Sequence, residues 1–381
     1  MTHKRTATIT FHAAHNYGSM LQAYALQQTL LALGVDNQIL NFRSPIQKQV
    51  YRDPRIKPTK DLKLLKRIKR LLYRFLNAKH IYSLGKKYDL FEKFLQEQLI
   101  LTTEFSSFTD NVIQSFDYDY YITGSDQCWN THCIDFNWAY YLDFTDSCNK
   151  ISYASSFGPF QPDEEQEKIV SEIRKFKNLS AREKAGAEFI TQNTDLICDT
   201  LPDPTLLLSK KQWEKLSNIP RIISKKYIFV YSPIPRQGVI EFALYLSERY
   251  KLPIIISNKI PIKDKIKIGL KKNVSYKLDV GPTEFLNLIQ NAEFVVSGSF
   301  HALIFSLIYN TPFFAIDGCK DNRMRQILTK ANCLDRAVDG ANPNSYSSIV
   351  NNAGEIPNFD EAIKEDTQKA IKYLKESLDL V

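Results

Sequence analysis

The most constraining feature of the sequence is its opening unit, a strand at residues 6–11, a polar loop at 12–18, a helix at 19–33 and a second strand at 38–42. Gly34 directly follows the predicted helix, and glycine readily adopts the left-handed conformation that ends helices. A strand, a helix and a second strand in this order are typical of a parallel sheet. The chain is therefore predicted to be an α/β protein.

A second series of alternating strands and helices begins near residue 227, after a connecting stretch that contains Pro204 and Pro220. This series includes a short helix predicted at 282–290, with Pro282 in its first turn, and a strand predicted at 294–297. The chain has 381 residues, which exceeds what one hydrophobic core usually supports. We predict two Rossmann-like domains with a ligand-binding cleft between them. The predicted parts are an N-terminal domain at 1–215 with a basic helical insertion at about 43–100, a C-terminal domain at 225–345, and a final helix in 346–381 that is a candidate for packing back on the N-terminal domain.

Positive charge is concentrated in one segment. Residues 43–87 contain fifteen Lys or Arg and two acidic residues, a net charge of +13 against +8 for the whole chain. Within it, residues 61–76 carry apolar side chains on one helical face and Lys or Arg on the others, which predicts a basic amphipathic helix. Two interpretations stay open: a surface helix docked on its own domain, or attachment to an anionic membrane surface or an anionic lipid-linked substrate. Because the charge is local, we expect no nucleic-acid partner.

Several classes of protein are not expected from the sequence. It contains no run of about 18 apolar residues that would predict a membrane-spanning helix, and its N-terminal residues do not resemble a secretory signal. We therefore expect a cytoplasmic protein, with the inner membrane face as the place where a basic helix would attach. The six cysteines and six histidines show neither C-x-x-C nor H-E-x-x-H spacing, so no metal site is predicted.

Open α/β sheets bind ligands beyond the carboxyl ends of their strands, so the loops after the strands hold the candidate site residues. The loop after the first strand contains Asn16, Tyr17 and Gly18 and leads into a helix. Backbone N–H groups at such a helix start can hold an anion or a sugar hydroxyl. The alternative is a structural loop in which Ser19 caps the helix.

The loop after the predicted strand at 118–123 reads GSDQCWN over residues 124–130. Its polar and aromatic side chains suit a hydroxylated ligand, and Asp126 is able to accept a proton or to orient an alcohol. The alternative is an Asx-type turn. The neighbouring side chains predicted to contact the ligand are Ser125, Gln127 and Trp129.

Three further charged residues follow other predicted strands, namely Arg182, Arg236 and His301. Either arginine can form a bidentate pair with a phosphate or a carboxylate, and the alternative is ordinary surface solvation. For His301, which begins a helix, the alternative is a helix-capping role. The residues alone thus predict a two-domain protein that binds an anionic, hydroxylated ligand, and they leave these alternatives open.

Seven segments of the chain, in this order, carry a family resemblance: HNYGSMLQAYALQQ (15–28), YDYYITGSDQCWN (118–130), KISYASSFG (150–158), LSAREKAGAEFI (179–190), PDPTLLL (202–208), EFLNLIQNAEFVVSGSFHALIFSLIYNTPFFAI (284–316) and NRMRQILTK (322–330). As an ordered set they resemble the polysaccharide pyruvyl transferase family over about residues 9–330. One segment departs from the family pattern: the usual T-D-S-F-H-G reads SGSFHA at residues 297–302, with Gly298 in place of Asp and Ala302 in place of Gly.

This resemblance implies a GT-B-like fold and the transfer of a pyruvyl unit from phosphoenolpyruvate to sugar hydroxyls, as a ketal, in cell-surface polysaccharide biosynthesis. It implies a lipid-linked or nucleotide-linked sugar as acceptor and no cofactor or metal besides the donor substrate. His301 aligns with the family's general acid, and Arg182 aligns with the arginine of its S-x-R-E segment. We assign activation of the acceptor hydroxyl to Asp126. The expected donor contacts are Arg182, Arg236, Ser299 and Arg323, and the expected acceptor contacts are Asn16, Tyr17, Gly18, Ser125, Gln127 and Trp129.

Two other functions stay open at this point. The first is a glycosyltransferase of the same fold that uses a nucleotide sugar, and it would release a nucleotide where a pyruvyltransferase releases phosphate. The second is a non-catalytic member of the family, which would bind ligands without turnover.

Overall fold

The computed structural model of the protein describes residues 4–56, 77–158, 164–269 and 271–380. The chain forms two compact units: unit 1 comprises Met1–Arg52, Phe94–Leu208 and Ile363–Val381, and unit 2 comprises Asp53–Lys93 and Ser209–Ala362. The chain passes from unit 1 to unit 2 after Leu208, where the sequence predicts a boundary between 215 and 225. The segment at 43–100, assigned to the N-terminal domain from the sequence, is divided between the units. The predicted basic helix at 61–76 lies outside the described residues.

Unit 1 is built on a parallel sheet whose strand order is β2-β1-β3-β4, with a second parallel pair formed by β5 and β6. The strands are β1 (Arg5–Ile9), β2 (Asp36–Ile39), β3 (Tyr120–Thr123), β4 (Lys150–Ser152), β5 (Leu179–Ala181) and β6 (Cys198–Thr200). The helices are α1 (Tyr17–Ala32), α2 (Pro45–Val50), α3 (Ala78–Gln98), which begins in unit 2, α4 (Asp110–Gln114), α5 (Gln166–Ile173) and α6 (Lys184–Asn193).

The strand order of unit 1 reverses direction between β1 and β3, which pair directly. In open parallel sheets such a reversal opens a crevice at the carboxyl ends of the two strands. All four residues of β3 are buried, as are Ala7 and Ile9 of β1. Because both faces of these strands are covered, only the loops beyond their ends are available to a ligand.

Unit 2 contains six parallel strands in the order β9-β8-β7-β10-β11-β12. Counted from β7 this is the 3-2-1-4-5-6 order of dinucleotide-binding Rossmann sheets, which reverses between β7 and β10. The strands are β7 (Ile228–Tyr231), β8 (Ile254–Ile256), β9 (Val274–Tyr276), β10 (Phe294–Ser297), β11 (Phe313–Ile316) and β12 (Ala337–Val338). The helices are α7 (Lys210–Leu216), α8 (Val239–Tyr250), α9 (Ile262–Ile268), α10 (Pro282–Gln290), α11 (Phe300–Tyr309), α12 (Asn322–Lys330), α13 (Tyr346–Asn352) and α14 (Phe359–Ser377), whose later residues belong to unit 1.

Each unit has its own core. Trp129 and Tyr141 are fully buried in unit 1, and Phe242 and Phe314 pack with ring centroids 5.0 Å apart in unit 2. The two parallel sheets confirm the predicted α/β class with two Rossmann-like domains, while the predicted cleft between them stays a prediction. Among the described residues, no helix combines the length and apolar content needed to cross a bilayer.

Candidate functional site

The loop after β1 ends in a capped helix start. Asn16 is the N-cap of α1, and its side-chain oxygen accepts a hydrogen bond from the Gly18 backbone N–H at 2.9 Å. The alternative that Ser19 caps the helix is therefore wrong, because α1 begins two residues earlier, at Tyr17. Tyr17 and Gly18 are buried and Asn16 is exposed, so of these three predicted acceptor contacts only Asn16 presents a side chain at the surface.

Ser19 instead joins the first loop to the loop after β3. Its hydroxyl donates a hydrogen bond to Oδ2 of Asp126. Asp126 has a left-handed backbone conformation, with φ of +61°, and its side chain is 15% exposed. The structure thus brings Asp126, predicted from the second loop, next to the start of α1, at the reversal point of the unit 1 sheet.

The other predicted contacts of the second loop build the loop rather than a ligand surface. Ser125 is fully buried: its backbone N–H donates to the Gln22 side-chain oxygen at 3.0 Å, and its hydroxyl donates to a backbone carbonyl at 2.7 Å. Trp129 is also fully buried. Acceptor contacts from the Ser125 and Trp129 side chains are therefore corrected to structural roles. Gln127 is half-buried and accepts a hydrogen bond from Asn130 at 2.9 Å.

Arg182 is buried among three protein carboxylates. Its Nη1 donates to Asp203 Oδ2 at 2.8 Å and its Nε donates to Glu183 Oε1 at 3.2 Å, while its Nη2 lies 3.8 Å from Asp126 Oδ1. Burial favours loss of the proton, but the three carboxylates outweigh it and raise the pKa of Arg182. Its side chain is only 4% exposed. The predicted donor contact at Arg182 is thus corrected: the residue donates hydrogen bonds to Asp203 and Glu183 and lies at ion-pair distance from Asp126.

Two residues that the sequence analysis missed lie near Asp126. The Tyr51 hydroxyl donates to Asp135 Oδ2 at 3.1 Å, and the Tyr51 ring centroid is 6.1 Å from that of His15. Burial raises the pKa of Asp135, and the nearby Asp126 carboxylate contributes to that rise. An aromatic ring with carboxylates at one edge of a sheet suits a hydroxylated ligand. No local motif marks Tyr51 or Asp135, because neither residue directly follows a predicted strand.

In unit 2, the loop after β10 leads directly into α11. Ser299 is the N-cap of this helix, and its hydroxyl accepts from the Ala302 backbone N–H at 3.5 Å. His301 therefore lies in the first turn of the helix, as predicted, and is half-buried. Ala302, where the family pattern has Gly, is fully buried, so its methyl group packs in the core and does not face a ligand.

Arg236, from the loop after β7, lies against Gly298. Its Nε donates to the Gly298 carbonyl at 3.1 Å, and its Nη2 donates to Asp321 Oδ2 at 3.2 Å. A Cβ atom at position 298 would overlap Arg236 Cδ and would lie 2.7 Å from Arg236 Nε. Glycine at 298, where the family pattern has Asp, therefore makes room for the Arg236 side chain.

Asp321 holds a second arginine. It is the N-cap of α12, and its carboxylate accepts from Arg323 Nε at 3.3 Å and from Arg323 Nη2 at 3.1 Å. Burial acts to raise the pKa of Asp321, but Arg323, the Met324 backbone N–H and Arg236 outweigh it and lower the pKa below the usual range. Among the described residues, Asp321 is the only carboxylate within ion-pair distance of Arg236 or Arg323. Two guanidinium groups and one carboxylate therefore leave about one unit of positive charge on this group.

Phe300 connects this pair to His301. The Arg323 guanidinium lies 5.6 Å from the Phe300 ring centroid, and the Phe300 and His301 rings are 5.3 Å apart. The structure thus brings three predicted donor contacts together with the predicted general acid His301 at the reversal point of the unit 2 sheet. The three donor contacts are Arg236, Ser299 and Arg323. The structure adds Asp321, which the sequence analysis missed. Among the described residues, no group of three or more His, Cys, Asp or Glu is arranged to hold a metal ion.

Comparison with known proteins gives a family match and a set of similar folds. The family model described as polysaccharide pyruvyl transferase matches residues 16–319. No curated protein matches the chain significantly.

Three solved structures illustrate the fold. A UDP-GlcNAc 2-epimerase from Methanocaldococcus jannaschii has a TM-score of 0.55 at 12% identity, over 98% of this chain and 99% of that chain. A trehalose-6-phosphate synthase has a TM-score of 0.55 at 10% identity, over 99% of both chains. A glycosyltransferase involved in avilamycin A biosynthesis has a TM-score of 0.52 at 11% identity, over 99% of this chain and 98% of that chain. These likenesses confirm the predicted GT-B-like fold and, at such low identity, concern the fold alone.

Proposed function

The chain belongs to the polysaccharide pyruvyl transferase family, and we propose that it transfers a pyruvyl group from phosphoenolpyruvate to two hydroxyls of a sugar, forming a ketal, in the biosynthesis of a cell-surface polysaccharide. The observation that carries this proposal is the unit 2 cluster, in which Arg236 and Arg323 share the single carboxylate of Asp321 close to His301.

The charge of the cluster suits the donor. Phosphoenolpyruvate carries a carboxylate and a phosphate, and guanidinium groups bind both kinds of oxyanion with paired hydrogen bonds. Two arginines with one carboxylate leave positive charge for the donor, whereas Arg182 has three carboxylates around it. We therefore assign donor binding to Arg236 and Arg323, with Ser299 ordering the helix start beside them.

The proposed reaction begins with a proton transfer from His301 to the methylene carbon of phosphoenolpyruvate, which leaves an oxocarbenium-like centre at the adjacent carbon. One sugar hydroxyl adds to this carbon and loses its proton, phosphate leaves with the electron pair of its C–O bond, and a second hydroxyl closes the ketal. The two hydroxyl protons balance the one gained by the new methyl group and the one gained by phosphate. The arginines stabilise the charge on the departing phosphate.

We assign activation of the acceptor hydroxyl to Asp126. A general base must have a fixed orientation toward the proton it removes. Ser19 donates to one oxygen of the Asp126 carboxylate, and Arg182 Nη2 lies 3.8 Å from the other, which supports this role. The proposed acceptor is a lipid-linked or nucleotide-linked sugar with two neighbouring free hydroxyls.

The test is incubation of the protein with phosphoenolpyruvate and a panel of such sugars in deuterated water, with measurement of phosphate release and product mass. The proposal predicts phosphate release that requires the acceptor, and one solvent deuterium in the ketal methyl group. Release of a nucleotide from a nucleotide sugar, without consumption of phosphoenolpyruvate, would instead identify a glycosyltransferase.

A further inference from the structure

Helix α9 of unit 2 departs from the pattern of an ordinary surface helix at three of its residues. Asp264 and Ile268 are its buried residues, whereas Ile262 is 75% exposed and Ile266 is 74% exposed. A surface helix of a globular protein normally turns its apolar side chains inward and its charges outward. Here an acid points inward and two large aliphatic side chains lie in water.

The exposed residues form one continuous face. At 100° per residue, Ile262 and Ile266 lie about 40° apart on the helix, and Lys263 and Lys265 lie about 80° to either side of their midpoint. Asp264 lies about 180° from that midpoint on the same wheel. We define the α9 face as Ile262, Lys263, Lys265 and Ile266, together with Lys259, which is exposed in the loop three residues before the helix. It presents a pair of isoleucines flanked by lysines.

The lysines of the α9 face carry charge that the protein does not neutralise. Within the described part of the chain, no carboxylate forms an ion pair with Lys259, Lys263 or Lys265, whereas Lys267 pairs with Glu241 and Lys271 pairs with Glu248. The lysines that are paired therefore lie outside the face, and those inside it remain available for an external anion.

The positive charge of the α9 face reaches two side chains of helix α3. Burial lowers the pKa of Lys87 to about 8, with Lys259 contributing to that shift. Burial likewise lowers the pKa of His80, and Lys259 and Lys265 add to that effect. The lysines of the α9 face therefore produce a positive potential at α3, which disfavours protonation of both side chains.

We propose that the α9 face docks the protein on an anionic lipid bilayer, with the two isoleucines inserted at the level of the lipid headgroups and the lysines on the headgroup phosphates. A bilayer surface offers an apolar layer beneath an anionic one, which matches both parts of the face. Nucleic acid would pair with the lysines but would leave the isoleucines in water. A symmetric contact with a second copy would bring the same lysines against each other. This inference does not depend on the proposed reaction.

The test is sedimentation of the full chain with vesicles of phosphatidylcholine alone and of phosphatidylcholine mixed with phosphatidylglycerol, at low and high salt. We expect binding to the anionic vesicles only, weakened by salt. Since each lysine near an anionic surface contributes about a fivefold change in affinity, K259E/K263E/K265E should weaken binding by about 100-fold or more. I262S/I266S keeps the charge and should weaken binding by about tenfold, because it removes the inserted groups.

Matched controls make the same changes at exposed positions on other elements, and they should bind as the wild type does: Ile197→Ser, with Ile197 88% exposed, and K184E/K226E/K372E. The inference is overturned if the wild type does not prefer anionic vesicles, or if I262S/I266S binds them like the wild type. It is also overturned if the wild type sediments alone as a dimer that I262S/I266S converts to a monomer. Phosphate release with a soluble acceptor tests the proposed reaction separately, and the α9 variants should leave it unchanged.

Discussion

Substitution of Gly298 by alanine tests whether Arg236 binds the donor through the position that the structure gives it. A Cβ at 298 would overlap Arg236 Cδ and would lie 3.0 Å from Ser232 Oγ. Because an arginine side chain is flexible, we expect it to move away, and it then loses its hydrogen bonds to the Gly298 carbonyl and to Asp321. The donor would lose the guanidinium that these two contacts position.

The expected magnitude follows from the lost contact. A hydrogen bond to a charged group contributes about 1.5–3 kcal/mol, so kcat/KM for phosphoenolpyruvate should fall about 10- to 150-fold. Stability should change by no more than about 1 kcal/mol, because alanine lowers the entropy of the unfolded chain while the Arg236–Asp321 pair is lost. Calorimetric binding of phosphoenolpyruvate should show the same loss of affinity without relying on turnover.

A double-substitution cycle makes this reasoning refutable. In an Arg236→Ala background only the Ser232 hydroxyl, at 3.0 Å, remains close to the new methyl group, so Gly298→Ala should have little further effect. The matched control is Gly354→Ala, because a Cβ at 354 would have its nearest neighbour at 3.9 Å, and it should leave donor binding unchanged. The reasoning fails if Gly298→Ala reduces kcat/KM equally with and without Arg236, or if it binds the donor like the wild type.

Three further substitutions separate the roles in the two clusters. His301→Gln should lower kcat by about 10²- to 10⁴-fold with little change in melting temperature, since it removes a proton donor at a helix start; activity within tenfold of the wild type would exclude the role. Arg182→Met should cost about 3–5 kcal/mol in urea unfolding, because it leaves buried carboxylates such as Asp203 without their cation. The lowered pKa of Asp321 means that its pairing stabilises the fold above the ordinary carboxyl range, and that this contribution is lost as the pH falls through the folded-state pKa. Asp321→Asn should therefore be less stable than the wild type at pH 7, and the difference should shrink toward pH 3.

The strands and several helices were predictable because their signals are local. The bounds of β10, Phe294–Ser297, and of α10, Pro282–Gln290, agree with the sequence prediction. A short apolar run marks the strand, and proline at the first position marks the helix. The start of α1 was missed because Asn16 and Ser19 are both good capping residues, and only the backbone shows which of them caps.

The partners of the charged residues were not predictable, because they are distant in sequence. Arg236 meets Asp321 across 85 positions, and Arg182 meets Asp203 across 21. An arginine that follows a strand lies at the carboxyl edge of the sheet, where ligands bind. Burial and neighbouring carboxylates then decide whether it contacts a ligand or only other protein groups. The same holds for Ser125, whose polar side chain suggested a ligand contact and which is fully buried.

The number of carboxylates around each arginine distinguishes an arginine with a structural role from one that is proposed to bind the donor. A buried guanidinium surrounded by three carboxylates, as at Arg182, has more negative charge around it than it can neutralise, so a further anion would be repelled. In the part of the chain that the structure describes, Arg236 and Arg323 have one carboxylate between them, that of Asp321, so a bound anion would offset their remaining positive charge. Asp321 keeps the two cations together at low cost in the absence of a ligand, and the remaining positive charge is available to the donor. Both kinds of arginine follow a strand of a parallel sheet, so this difference in neighbours, and not the fold, makes unit 2 the side that binds phosphoenolpyruvate in the proposed reaction.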